Sequence, residues 1–173
     1  INVVVIKGIN NQEINDFVEW TIHQPVHVRF IEFMPFFGNN WEIEKVFSYK
    51  EILNSIALIY PFKKLESNKN DTAKKFLVPG ARGTFAIISS MTQPFCSGCN
   101  RMRLTTDGKM KNCLFSKTET DILTALRCGH DIVPLIKQCL LEKEEALGGQ
   151  FTAVIENIDI SAINNRSMIN IGG

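Results

Sequence analysis

Asp107-Gly108, lying between two alternating runs and downstream of a cysteine pair, fixes more of the local folding of this chain than any other dipeptide. The runs are Arg101 to Thr106 and Lys109 to Leu114. Asp-Gly in that setting signals a hairpin, because a type I′ turn requires positive φ at both central residues. A two-residue turn pairs Thr106 with Lys109 and, stepping outward, Met102 with Cys113. The hairpin thus brings Cys113 beside the strand that begins just after Cys99. It converts the C-x2-C-x13-C spacing of Cys96, Cys99 and Cys113 into three neighbouring thiols. In that register, alternation puts Cys113 on the face of Met102, opposite Arg101 and Arg103. A bend at Cys99-Asn100 is therefore expected, to gather the sulfurs.

Three thiols are an informative count. A structural zinc site is closed by four protein ligands. A [4Fe–4S] cluster is held by four cysteines, one per iron, so three would leave one iron open to a non-protein ligand. On spacing alone zinc and iron–sulfur stand level, with three buried thiols and no metal as the remaining reading. A fourth zinc ligand would come from Cys128, Cys139, His130, His23 or His27. Cys139 shares a helix face with Ile132, Leu135 and Ile136 and reads as a packed core thiol. Cys128, next to Gly129, reads as filling a helix end. Five cysteines with three grouped make a poor disulfide framework and a fair metal pattern in a reducing cytoplasm.

Charge narrows the partners. A formal net charge of +1 argues against a general nucleic-acid binder. Locally, Arg101, Arg103, Lys109, Lys111 and Lys117 face only Asp107, so the hairpin is basic and suits a small anion. Arg101 and Arg103 lie two apart on a strand and share a face. They are either an ordinary solvated face or a bidentate phosphate clamp. No apolar run is long enough for a membrane span and no signal peptide is visible. The 173 residues open on Ile1, inside the apolar run INVVVI, and the chain is expected to be a fragment.

Ile1 to Ile6 reads as a buried strand, and Asn10 with Glu13 as a capping box for a helix ending at Pro25. Val26 to Met34 is a second strand, so the two form a parallel βαβ unit. Arg29 sits mid-strand in an apolar run, where a charge needs a partner or a cavity; Glu32 is the candidate partner, although parity puts it on the opposite face. Met34 ends the strand, where parallel barrels bind ligands. Ser48 with Glu51 is a second capping box, for a helix to about Leu58. Phe76 to Val78 and Thr84 to Met91 read as antiparallel strands. Helices follow over about 121–128 and 132–147, the second with Asp131 as cap and Pro134 in its first turn.

The segments INVVVIKGIN, VRFIEFMPFFGNNW, IISSMTQPFCSGCNRMRLTTDGKMKNCLF and the closing Gly172-Gly173 together resemble the C-terminal half of the GTP 3′,8-cyclase family. These are radical S-adenosylmethionine lyases of molybdenum cofactor biosynthesis. The resemblance spans the whole chain. It implies conversion of GTP to (8S)-3′,8-cyclo-7,8-dihydroguanosine 5′-triphosphate. It implies that Cys96, Cys99 and Cys113 hold a second [4Fe–4S] cluster whose open iron receives the guanine base. Arg101, Met102 and Arg103 would contact GTP, and Met34 S-adenosylmethionine. Arg29 would be an active-site arginine, and Gly172-Gly173 a tail reaching into the active site. The implied fold is α/β plus α+β. Residues 1–37 would form the last βαβ unit of an incomplete TIM barrel, and residues 38–173 a cluster-binding and GTP-binding domain. A homodimer and a downstream cyclic pyranopterin monophosphate synthase are the implied partners, with no membrane and no nucleic acid.

One departure is large. The family's C-x3-C-x2-C motif, which holds the cluster that cleaves S-adenosylmethionine, does not occur in this sequence. The family's basic residue just ahead of Ile1 is missing as well. The chain alone is therefore expected to be inactive. The competing reading is a non-enzymatic zinc module whose basic hairpin binds nucleic acid.

Overall fold

The computed structural model describes residues 1–151, 158, 163, 165–168 and 171. They form two compact units: Ile1–Met34 with Trp41–Cys99, and Pro35–Asn40 with Asn100–Gly173.

The first unit runs β1 (Asn2–Val5), α1 (Ile14–His23), β2 (His27–Glu32), α2 (Tyr49–Ala57), β3 (Lys63–Lys64), β4 (Ala73–Leu77) and β5 (Thr84–Ile88). Its sheet has the order β1-β2-β5-β4-β3. β1 and β2 are parallel, with Val4 opposite Ile31, as the βαβ pattern predicts. β2 and β5 are also parallel, with Phe30 opposite Ile87. β5–β4 and β4–β3 are antiparallel. The sheet is thus mixed, and it joins strands from both sides of residues 37 and 38. Gly83 makes the β2–β5 seam possible: a Cβ there would lie 2.1 Å from the Val26 carbonyl oxygen. In its place Thr84 N–H donates to that same oxygen at 3.0 Å and starts the ladder.

Both helices bury apolar stripes in one core. Ile14 and Val18 of α1 join Ile52 and Ile56 of α2, over Val28, Phe30, Phe85 and Ile87 of the sheet. Phe76 and Phe85 stack at 5.2 Å, and Phe17 meets Phe30 edge-on. Fully burying each such side chain contributes about 1.5–3 kcal/mol. The Ser48–Glu51 capping box forms with both of its bonds. The Asn10–Glu13 box does not. Asn10 Oδ1 accepts from Ile6 N–H at 2.8 Å and its Nδ2 donates to the Val4 carbonyl, so its amide ties back to β1. Helical structure there opens with a 3-10 turn over Asn11–Glu13 instead.

The second unit carries a three-stranded antiparallel sheet, β6 (Arg103–Leu104), β7 (Lys109–Lys111) and β8 (Thr120–Asp121), followed by α3 (Ile122–Arg127) and α4 (Val133–Leu141). Asp121 caps α3 by accepting from Thr124 N–H at 2.9 Å. Asp131 accepts from Val133 N–H at the start of α4, with Pro134 in the first turn. α4 stops six residues before the expected end at Leu147. Leu147 and Gly148 instead adopt positive φ, in a separate turn. Phe36 stacks on Phe115 at 5.7 Å within this unit. Gly172 and Gly173 lie outside the described residues.

Candidate functional site

The hairpin exists, with a register one residue away from the two-residue turn. Arg103 is opposite Lys111 and Leu104 opposite Met110. Thr105 N–H donates to the Lys109 carbonyl at 2.8 Å, leaving Thr106, Asp107 and Gly108 as the loop. Gly108 has φ of 74° and Asp107 is not in the left-handed region, so the loop is the three-residue form rather than type I′. The cause is local side-chain chemistry. The buried Thr105 hydroxyl accepts from Lys109 N–H at 2.9 Å and donates to Asp107 Oδ1 at 2.6 Å. A hydroxyl that closes the turn in this way competes with the two-residue alternative.

A one-residue slip changes which side chains meet. Lys111, not Asn112, stands across from Arg103. Lys111 is 1% exposed. Its ammonium donates to the Ser116 carbonyl and to Asn165 Oδ1, both at 2.8 Å, and lies 3.7 Å from Glu119. Burial lowers its pKa, against the pull of Glu119. Asn165 also donates to the Leu114 carbonyl at 2.9 Å, next to Cys113. Arg166 grips both oxygens of Asp107 at 3.0 and 2.9 Å and also binds Glu119. Its guanidinium, with help from Thr105, holds the Asp107 carboxyl well below the usual range.

The ladder stops at Arg103–Lys111, one step short of Arg101 and Cys113. Lys143 fills the gap: its ammonium donates to the Arg101 carbonyl at 3.0 Å and to the Asn112 carbonyl. The Asn112 side chain in turn donates to the Cys139 carbonyl at 2.9 Å, at the end of α4. Arg101 is exposed, while Met102, Arg103 and Cys113 are half-buried.

In the first unit, Cys96 and Cys99 are half-buried on a 3-10 turn over Cys96–Gly98, closed by Cys99 N–H to the Cys96 carbonyl at 3.0 Å. Gly98 sits hard against Lys69, whose carbonyl oxygen would lie 2.3 Å from an added Cβ. The strand leading here is anchored by Glu32, a residue considered in the sequence only as a partner for Arg29. Glu32 is fully buried. Its Oε1 accepts from Tyr49 N–H at 2.8 Å and from the Thr92 hydroxyl, and its Oε2 accepts from Met91 and Thr92 N–H at 2.8 and 2.9 Å. Lys74 reinforces the same segment. It donates to Gln93 Oε1 at 2.6 Å and Ser89 Oγ at 3.2 Å, and lies over the Tyr49 ring at 4.2 Å. Burial, then Lys64, lowers its pKa.

Arg29 needs no partner inside the core. Val28, Phe30 and Glu32 point inward and Arg29 outward, exposed on the other face of β2. Met34 is half-buried just beyond the end of that strand. His27 donates or accepts at Thr84 Oγ1 over 2.7 Å, and burial together with Arg29 lowers its pKa.

The five cysteines form no disulfide. Among the described residues no three His, Cys, Asp or Glu side chains are gathered in metal-binding geometry. The boundary between the units falls between Cys99 and Asn100, so Cys96 and Cys99 belong to the first and Cys113 to the second. The chemistry of the donor set still fits a cluster: three half-buried thiols, all sulfur, which is the donor that iron–sulfur clusters take. Of the alternative zinc ligands, Cys139 is buried as a core thiol and Cys128 is exposed.

Comparison with known proteins gives a consistent set. The family described as Molybdenum Cofactor Synthesis C matches residues 26–148. GTP 3′,8-cyclase, mitochondrial, of Arabidopsis thaliana is 40% identical over 177 residues, covering 100% of this chain and 44% of that protein. Molybdenum cofactor biosynthesis protein 1 of Mus musculus is 40% identical over 176 residues, covering 99% of this chain and 27% of that protein. GTP 3′,8-cyclase of Alkaliphilus oremlandii is 37% identical over 175 residues, covering 100% of this chain and 52% of that protein. The chain thus spans about half, or less, of the length of these relatives.

Proposed function

Since the chain belongs to the Molybdenum Cofactor Synthesis C family, we propose that it is the nucleotide-holding part of a GTP 3′,8-cyclase, acting in molybdenum cofactor biosynthesis. Cys96, Cys99 and Cys113 hold a [4Fe–4S] cluster. When bound, that cluster supplies an iron without a protein ligand, a Lewis-acidic position for a base nitrogen or oxygen. Arg101 and Arg103 bind the anionic part of GTP, with Met102 in the same run, and their fixed forks suit phosphate oxygens. Arg29 and Gly172-Gly173 are assigned to the active site and Met34 to S-adenosylmethionine. Residues 1–37 are assigned to the end of a partial barrel and residues 38–173 to the cluster-binding and GTP-binding domain. Radical generation is assigned to sequence outside this chain, and the chain alone is assigned no turnover. A homodimer, and a cyclic pyranopterin monophosphate synthase acting on the product, complete the proposal.

The observation that supports this reading is one hairpin bearing both arginines and the third cysteine, directly after the C-x2-C turn. Anaerobic reconstitution with iron and sulfide should load about four irons per chain, one cluster's worth. One tightly held zinc and no iron would overturn the assignment in favour of a zinc module. Replacing Arg101 and Arg103 together by alanine should weaken GTP binding about ten-fold or more and leave iron content intact. Unchanged GTP affinity would sink their role.

A further inference from the structure

A β-ladder normally ends when its strands run out of partners, and the last carbonyls turn to water. Here β6 and β7 part while both chains continue toward the residues that matter most. In the observed register, Arg101 and Cys113 would form the next rung of the same face. That rung is absent. The Lys143 ammonium takes its place and binds the carbonyls of Arg101 and Asn112 at once. Three features make this a built clamp rather than a stray surface contact. Lys143 lies just past α4, which ends at Leu141, and its ammonium reaches both carbonyls from there. Its two acceptors come from opposite strands of one hairpin. Asn112, one of the two, is itself 3% exposed and held through its amide to the Cys139 carbonyl.

We infer that Lys143 is a positioning residue for the hairpin site. It holds the backbone of the arginine run and the backbone beside the third cysteine at a fixed separation. The inference rests on the proposed function and deepens it. A lysine is suited to the task because an ammonium has three donors and no acceptor. It can satisfy two carbonyls, one on each arm of the hairpin, beyond the end of the ladder. Were the rung formed instead, both strands would keep their pleat, and the Arg101 and Cys113 side chains would be committed to the sheet face. Lys143 touches neither GTP nor the reacting atoms in this reading, and its effect passes through Arg101 and Asn112.

The test compares wild type, Lys143→Met and Lys143→Arg in the reconstituted full-length protein. Amide exchange over 100–104 and 111–114 is measured without nucleotide. GTP affinity and the electron paramagnetic resonance signal of the reduced hairpin cluster are measured alongside. Lys143→Met should speed exchange in those two segments about ten-fold or more. It should also weaken GTP binding by about ten-fold and shift the resonance signal, with iron content unchanged. Lys143→Arg, whose fork still reaches two carbonyls, should recover most of each loss. Unchanged exchange in Lys143→Met overturns the clamp. Faster exchange with GTP affinity and signal unchanged makes Lys143 merely structural and overturns the positioning role. If Lys143→Met fails to fold, Lys143→Arg carries the test. Its affinity must then lie close to wild type, and a loss as large as that of the alanine pair at Arg101 and Arg103 overturns the inference. Wild type that takes up neither iron nor GTP overturns the proposed function itself, and this is seen before any variant is compared.

Discussion

Glu32 offers the sharpest stability test. Its two carboxylate oxygens are not equivalent. Oε2 faces two backbone donors, Met91 and Thr92 N–H. Oε1 faces one backbone donor, Tyr49 N–H, and one hydroxyl, that of Thr92. In Glu32→Gln the new NH2 must replace one oxygen. At the Oε2 position it would oppose two N–H groups. At the Oε1 position it opposes only Tyr49 N–H, because the Thr92 hydroxyl can rotate to accept. The amide therefore takes the second arrangement, losing one buried backbone bond and weakening two others from charged to neutral acceptors. The sum is about 3 kcal/mol. Glu32→Ala strips all of the acceptors and orphans Met91 and Thr92 N–H. Tyr49 keeps only a 3.4 Å contact with Thr92 Oγ1. That loss is about 5 kcal/mol, a large share of the stability of a domain.

Fluorescence isolates the right unit, because both tryptophans, Trp20 and Trp41, belong to it. Trp41 is buried and donates to the Phe33 carbonyl at 2.9 Å, one residue from Glu32. With a urea m-value of about 2 kcal/mol/M, Glu32→Gln should lower the fluorescence midpoint by about 1.5 M, and Glu32→Ala by more. A shift below about 0.3 M for glutamine, or an alanine variant no worse than glutamine, would refute the argument that these N–H groups have no other partner.

Two further predictions concern the hairpin. Gly108→Ala combines left-handed φ with a Cβ placed 2.3 Å from the Cβ of Leu123. It should cost about 2–4 kcal/mol and reduce amide-exchange protection over 103–111 by about 30-fold or more; protection within about two-fold of wild type would show that α3 yields freely. Asp107 has a folded-state pKa held below its usual 3.8, mainly by Arg166. Its contribution is therefore present above the unfolded pKa and is lost as pH falls through the lower folded value. Melting curves of the metal-free chain from pH 5 down to 2.5 should show a loss below about pH 4 that is smaller in Asp107→Asn, and equal losses in the two would refute the linkage.

Much of the fold was legible because its signals are local. The apolar run of β1 and the Ser48–Glu51 spacing need no knowledge of distant residues, and the strand and the capping box both formed. The burial expected along Ile1 to Ile6 did not, since Ile1 and Val4 are exposed and only Val5 of β1 is buried. The hairpin was legible in outline from Asp107-Gly108, and its register was not, because a threonine hydroxyl two residues earlier decided the loop length. The parallel seam between β2 and β5 was hidden for a different reason. It joins segments more than fifty residues apart, and its enabling feature is the missing side chain of Gly83, which looks in the sequence like any turn glycine.

The positioning residues escaped for a common reason, and it bears on how such sites are built. Glu32 accepts from backbone N–H groups just beyond the C-terminal end of β5, and Lys143 donates to backbone carbonyls where β6 and β7 part. Each is a charge that satisfies main-chain groups at the place where regular pairing stops. A ladder satisfies such groups by repetition, which leaves a periodic trace in the sequence. A single charge does the same at one point and leaves none. Yet an irregular end is what a binding residue requires, since a side chain committed to a pleated face cannot turn toward a ligand. The candidate ligands thus follow such points in the chain: Cys96 and Cys99 come after the segment that Glu32 anchors, on a 3-10 turn of their own, and Arg101 and Cys113 lie at or beside the carbonyls that Lys143 binds. If that is the design, exchanging either charge for its neutral isostere should disturb ligand positions before it disturbs the strands behind them, which keep their own hydrogen bonds.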